Sequence, residues 1–163
     1  MVIVALGSNL ADRAAILRSA VADLQKVDGV TVDRVSSLFE SEALKPDGVD
    51  PTASRYLNAV AALRSAIPPH ALLEALQAIE TTHGRVRRER WGDRTLDLDI
   101  ITFGDVALHD ETLTLPHPLT HTRAFVLVPW LEIDPSAHFP GFGLVSDLVR
   151  SIDDVPRWHS AWG

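Results

Sequence analysis

Apolar and polar positions along the chain switch between two periods. Val2 to Leu6 is a short continuous apolar run stopped by Gly7, which predicts a buried strand. Asp12 then stands as a cap before Ile16, Leu17, Ala20, Val21, Leu24 and Val27, a helical spacing that ends at Asp28-Gly29. Val30 to Glu40 is rich in β-branched and apolar residues and predicts a second strand. Ala43 to Arg55 holds Pro46, Asp47, Gly48, Asp50 and Pro51, and predicts a long loop.

Tyr56 to Arg64 predicts a third strand. Pro68-Pro69 opens a helix with Leu72, Leu73, Leu76 and Ile79 on one face, and Gly84 is placed to end it. An arginine-rich loop leads to a fourth strand over Thr95 to Phe103, and a short helix is expected near Ala124 to Leu131. The order β-α-β-β-α-β is that of the ferredoxin-like split βαβ arrangement. The expected fold is therefore an α+β sandwich, an antiparallel sheet with helices packed on it and C-terminal additions. The tail from Gly141 to Gly163 follows no usable pattern. No linker or repeat divides the chain, so residues 1–163 are expected to form one domain.

Composition narrows the function. The 163 residues contain no Cys, which rules out disulfides and thiolate metal sites within this sequence and fits a reducing compartment. The opening apolar run is too short for a signal peptide or a membrane span, so a cytoplasmic protein is expected. A formal net charge of −7 argues against binding to duplex nucleic acid. Yet Arg85, Arg87, Arg88, Arg90 and Arg94 crowd into one short segment. Such a cluster suits a small polyanion and suits a solvated charged loop about equally well.

The strand after that cluster changes the balance. In Leu96-Asp97-Leu98-Asp99-Ile100, alternation puts Asp97 and Asp99 on one side and the apolar residues on the other. The two carboxylates lie roughly 7 Å apart along the strand, a spacing that suits Mg²⁺ completed by water and phosphate oxygens. Two alternating aspartates alone favour the wet face of an edge strand by about three to one. Aspartate is a poor strand former, however, and the guanidinium-rich turn beside the pair shifts the odds toward a metal-bound polyphosphate site. No glycine-rich phosphate loop is present, which excludes a P-loop nucleotidase or protein kinase.

Several motifs in order resemble one family, the 6-hydroxymethyl-7,8-dihydropterin pyrophosphokinases. They are Ala5-Leu6-Gly7-Ser8-Asn9-Leu10, Tyr56-Leu57-Asn58-Ala59, Gly84-Arg85-Val86-Arg87, Leu115-Pro116-His117-Pro118 and Arg123-Ala124-Phe125. The most specific is Arg90-Trp91-Gly92-Asp93-Arg94-Thr95-Leu96-Asp97-Leu98-Asp99. The resemblance implies a transferase that takes ATP and the hydroxymethyl pterin as substrates and releases AMP, and a monomer is expected. It implies that Asp97 and Asp99 hold two Mg²⁺ ions, and that Arg85 and Arg94 neutralise charge during transfer. It further implies nucleotide contacts from Gln77, Arg87, Trp91, Ile100, His117 and Arg123. Tyr56 and Phe125 would sandwich the pterin ring, Asn58 would bond its edge, and Leu44 and Trp91 would add pterin contacts.

The sequence departs from the family pattern at two places. Asp93 stands where the family usually has proline, and Phe39-Glu40-Ser41-Glu42-Ala43-Leu44 lacks the usual Thr-x-Pro-like exit from the second strand. Two other readings remain open at this stage. One is a non-catalytic module stacking nucleotides or single-stranded RNA on Trp91, Tyr56 and Phe125. The other is a phosphotransferase that kept the aspartate pair and changed its acceptor.

Overall fold

In the computed structural model the described residues are 1–10, 12–45, 47–50, 52, 54–84 and 95–162. The first strand, β1 (Val2–Ser8), runs one residue past Gly7. Helix α1 (Arg13–Leu24) follows, and the Asp12 carboxylate accepts from the Ala15 amide at 3.1 Å, as the capping pattern predicts. The second expected strand is two: β2 (Val30–Val35) and β3 (Leu38–Ser41). The expected loop carries a small hairpin, β4 (Ala43–Lys45) with β5 (Gly48–Asp50).

The long central strand β6 (Tyr56–Ser65) leads to α2 (Pro69–Thr82), and Gly84 takes the positive φ of 78° expected just past a helix. Strand β7 (Asp97–Phe103) is followed by a two-residue hairpin, β8 (Leu108–His109) with β9 (Thr114–Leu115). A 3-10 turn (Thr120–Thr122) enters α3 (Ala124–Ile133). The tail holds a hairpin of β10 (His138–Phe139) and β11 (Gly143–Leu144), helix α4 (Val145–Arg150) and strand β12 (Arg157–Ser160).

The main sheet is antiparallel, ordered β12-β3-β6-β1-β7, with β2 also paired to β6. Leaving aside β12, this is the ferredoxin-like order expected of β-α-β-β-α-β. The second strand breaks because one straight strand does not pair with the whole of β6. Strand β2 covers Ala61 to Ser65 and β3 covers Tyr56 to Asn58. Ser36 bridges the break: its amide donates to the Val60 carbonyl at 2.8 Å, and its hydroxyl accepts from the Val60 amide at 2.9 Å.

Alternation along the strands separates two cores. Leu57, Ala59, Ala61 and Leu63 of β6 join Val2, Val4 and Leu6 of β1 under α1 and α2. Val60 and Ala62, with Ile3, pack on the opposite face under α3 and the tail, against Leu127, Trp130 and Phe139. The tail is therefore part of the fold: β12 extends the sheet beyond β3, and the Trp162 indole N–H donates to the Ser36 carbonyl. Glu80 of α2 is 2% exposed, and its carboxylate accepts from the Leu98 amide at 3.1 Å. That amide points out from β7, the last strand of the sheet among the described residues, so Glu80 satisfies an edge that would otherwise stay open.

Two buried serines give a paired test of these hydrogen bonds. Ser36→Ala leaves the Val60 amide unpaired and should cost about 1–3 kcal/mol. The Ser8 hydroxyl is buried with no hydrogen-bond partner among the described residues, so Ser8→Ala should be neutral or slightly stabilising. Urea unfolding midpoints of the two variants check both signs.

Candidate active site

Helix α3 covers only part of its face of the sheet. Along β6 the same face continues past Val60 to Asn58 and Tyr56, which line an open cavity of about 360 Å³. The floor is Ala5 and Gly7 of β1 with Tyr56 and Asn58 of β6. One wall is β7, with Asp97, Asp99 and Ile101. The opposite wall is Ser41 and Glu42 at the end of β3, and the rim is His117 to Thr120, Arg123, Phe125 and Val126.

Backbone register explains each placement. Asp97 lies opposite Gly7 and Asp99 opposite Ala5, so both acids face the cavity while Leu96, Leu98 and Ile100 enter the helix-side core. Ile101 continues the alternation of Asp97 and Asp99 onto the cavity side, and a shift of register opposite Ile3 and Val4 leaves it unpaired with β1. Gly7 keeps the floor low. A Cβ there would stand 3.5 Å from the Asn58 side-chain oxygen and 3.7 Å from the Tyr56 ring, in space the cavity uses. The β3 and β7 walls are separated by β6 and β1, three strand spacings or about 14 Å.

His117 is fixed by its neighbours. Its amide donates to the Ile101 carbonyl at 2.9 Å, and Nδ1 accepts from the Leu119 amide at 3.2 Å. With Nδ1 accepting, the neutral ring carries its proton on Nε2, where it can donate to a ligand. Burial lowers the His117 pKa to about 4, and the nearby Arg123 charge adds to the effect. The Arg123 guanidinium carbon lies 5.9 Å from the centre of the Phe125 ring, within reach of a cation–π contact.

The β3 wall is tied down by charge. Glu40 accepts from Arg13 at 3.1 Å and from Arg55 at 3.2 Å, and Arg13 also donates to the Arg55 carbonyl at 2.7 Å. Burial pushes the Glu40 carboxyl upward, but the hydrogen bonds from Arg55 and Arg13 outweigh it and hold the group below its usual range. These contacts join the start of α1, the end of β3 and the end of the 43–55 segment.

Of the residues expected from sequence, the structure brings Asp97, Asp99, Tyr56, Asn58, His117, Arg123 and Phe125 around one cavity. Arg85, Arg87, Trp91 and Arg94 lie outside the described residues, as does the side chain of Leu44. Gln77 and Ile100 are placed elsewhere. Gln77 is on α2, the helix on the opposite face, and the Ile100 side chain is 3% exposed in the core beneath that helix. A ligand must cross the β7 edge toward α2 to approach either. Ser41, Glu42 and Thr120 were not anticipated; the departure from the family pattern after Phe39 was the signal for the first two.

Among the described residues, no group of three or more His, Asp or Glu could hold a metal by itself. A metal on this cavity would rest on the Asp97 and Asp99 carboxylates, with its remaining positions open to substrate and water. Mg²⁺ accepts that donor set, because it keeps several waters and takes one or two carboxylates plus phosphates.

The model of the 7,8-dihydro-6-hydroxymethylpterin-pyrophosphokinase family matches residues 3–135. The chain belongs to this family. A relative from Synechocystis sp., named 2-amino-4-hydroxy-6-hydroxymethyldihydropteridine pyrophosphokinase, is 41% identical over 162 residues, covering 99% of this chain and 80% of its own length. One of the same name from Haemophilus influenzae is 39% identical over 152 residues, covering 93% and 92%. Solved structures of Plasmodium falciparum HPPK-DHPS have the same fold. A triple mutant with SDX-DHP superposes with a TM-score of 0.68 at 15% identity, over 91% of this chain and 43% of that one. The A437G form with SDX-DHP gives 0.66 at 13% identity, over 91% and 42%. This chain thus spans less than half the length of those solved chains.

The His117 environment predicts a pH signature. The folded pKa lies below the ordinary 6.5, so the unfolded chain binds the extra proton between about 4 and 6.5. Stability from this group is complete above pH 6.5 and is lost as pH falls toward 4. The wild-type urea midpoint should therefore drop across that window more than that of His117→Asn.

Proposed function

We infer that the chain transfers the pyrophosphoryl group of ATP to 6-hydroxymethyl-7,8-dihydropterin, yielding AMP and the pterin diphosphate, a step of folate biosynthesis. Family membership carries the activity. The observation that supports the assignment of roles is the single cavity in which Tyr56, Asn58 and Phe125 meet Asp97 and Asp99. In this reading the pterin lies over the Gly7 floor between Tyr56 and Phe125, with its edge on Asn58 and its hydroxymethyl group toward β7. Leu44 and Trp91 complete the pterin pocket.

Its oxygen attacks the β-phosphorus of ATP, the bond from that phosphorus to the α,β-bridging oxygen breaks, and AMP departs with that oxygen. Two Mg²⁺ ions on Asp97 and Asp99 supply, when bound, charge neutralisation at the phosphate oxygens. Arg85 and Arg94 neutralise the charge that develops during transfer, and Arg87, Trp91, His117 and Arg123 hold the nucleotide. A neutral His117 keeps Nε2–H as a donor to phosphate without adding another cation beside Arg123. The adenosine end, reaching beyond β7, meets Gln77 and Ile100. No general base is assigned, since positioning and electrostatics carry most of the catalysis of phosphoryl transfer.

The same reading takes residues 1–163 as one pyrophosphokinase domain, acting as a cytoplasmic monomer without nucleic-acid or membrane partners. The net charge of −7 supports it. Among the described residues, no helix is long and apolar enough to cross a membrane.

Purified protein given ATP, Mg²⁺ and the hydroxymethyl pterin should form AMP and not ADP, and EDTA should stop the reaction. Absence of AMP would overturn the assignment. Asp99→Ala should lower the rate on the order of 10²-fold or more while far-UV circular dichroism and melting temperature stay near wild type. A near-normal rate for that variant would remove Asp99 from the mechanism.

A further inference from the structure

Within the activity inferred above, on which this step rests, we propose that Glu42 reads the amino edge of the pterin and sets the enzyme's choice of acceptor. Asn58 is held in one orientation. Its side-chain nitrogen donates to the Ser41 hydroxyl at 2.8 Å and to the Phe39 carbonyl at 3.4 Å. A carbonyl only accepts, so these partners fix which end of the amide is nitrogen. The remaining group, the Asn58 oxygen, is turned to the floor beside Gly7, 3.5 Å from the position of a Cβ there. At the cavity Asn58 therefore presents an acceptor.

Glu42 follows Ser41 directly and lines the same wall. Its carboxylate accepts no hydrogen bond among the described residues, and its ion pair with Arg55 is stretched to 4.0 Å. Arg55 is engaged more closely elsewhere, by Glu40 at 3.2 Å. Glu42 thus keeps its acceptor oxygens for a ligand. The Glu42 carboxylate and the Asn58 oxygen thus give the cavity two acceptors, beside a Ser41 hydroxyl that keeps its own proton to donate.

The two acceptors favour a ligand edge that carries donors. The 2-amino-4-oxo ring of a pterin offers two side by side, the 2-amino group and N3–H. A carboxylate can take such a pair through two parallel hydrogen bonds, as it takes a guanidinium. A 2,4-dioxo ring replaces the amino donor with an acceptor and meets the wall oxygen to oxygen. The distance between walls places this contact at the far end from the metal-binding carboxylates, about 14 Å away across β6 and β1. Glu42 therefore acts on which ring is accepted, and Asp97 and Asp99 act on the phosphates.

The test compares 6-hydroxymethyl-7,8-dihydropterin with its 2-oxo counterpart as acceptors in wild type, Glu42→Ala and Glu42→Gln, following AMP. Wild type should favour the amino compound strongly. A charge-assisted hydrogen bond lost from a site is worth about 10- to 100-fold, so the preference in Glu42→Ala should shrink by at least tenfold. The change should lie in the KM for the pterin and not in that for ATP. Glu42→Gln, which keeps one acceptor oxygen, should fall between the two. Because each preference is a ratio within one protein, partial unfolding of a variant does not alter it. An undiminished preference in Glu42→Ala, with wild type still making AMP from the pterin, would overturn the role of Glu42 alone. No AMP from wild type would overturn the activity itself.

Discussion

An antiparallel sheet has two faces, and apolar side chains on either one need cover. In this chain α1 and α2 cover one face, with Leu113, Leu115 and Trp162 joining that core, whereas α3 and the tail cover the other only in part. The active-site cavity is the uncovered remainder. Strand β6 shows the transition within its own sequence: on one face it runs Ala62, Val60, Asn58, Tyr56, from packed core to open floor. The period-2 geometry of the strand thus decides which residues line the cavity, and the length of α3 decides where the core stops. The acids of β7 depend on the same alternation, since a slip of one residue would bury Asp97 and Asp99 and expose Leu98.

Much of this was legible from the order of residues. Hydrophobic periodicity located the two helices of the sandwich and the four strands that the ferredoxin-like order requires, and alternation put the aspartate pair opposite its leucines. What escaped had local causes. The break at Ser36 is invisible because Val30 to Glu40 is uniformly strand-like, and only pairing with β6 divides it. The tail gave no signal because β12 is bound by its backbone to β3 and leaves Trp158 61% exposed, so no apolar period marks it. The burial of Glu80 left no sign, because helical spacing cannot tell a solvated face from one that meets the amide of an edge strand.

The site was legible to a similar degree. Residues on the strands and the rim, Asp97, Asp99, Tyr56, Asn58, His117, Arg123 and Phe125, converge on the cavity. Gln77 and Ile100 do not, since Gln77 belongs to α2 and Ile100 packs in the core beneath the helices, on the other side of the sheet. The role proposed for Glu42 rests on three-dimensional facts, namely that Arg55 is engaged by Glu40 and that the Asn58 nitrogen is committed to Ser41.

The opposing walls stand on strands that never touch. Strands β3 and β7 are each anchored through their neighbours, and the charged ties of Arg13, Glu40 and Arg55 belong to one wall only. Divergence can therefore proceed at one end without unsettling the other. A descendant could exchange residues 41 and 42 to admit a new alcohol while inheriting its phosphate chemistry intact, which makes this layout a ready starting point for paralogues of altered taste.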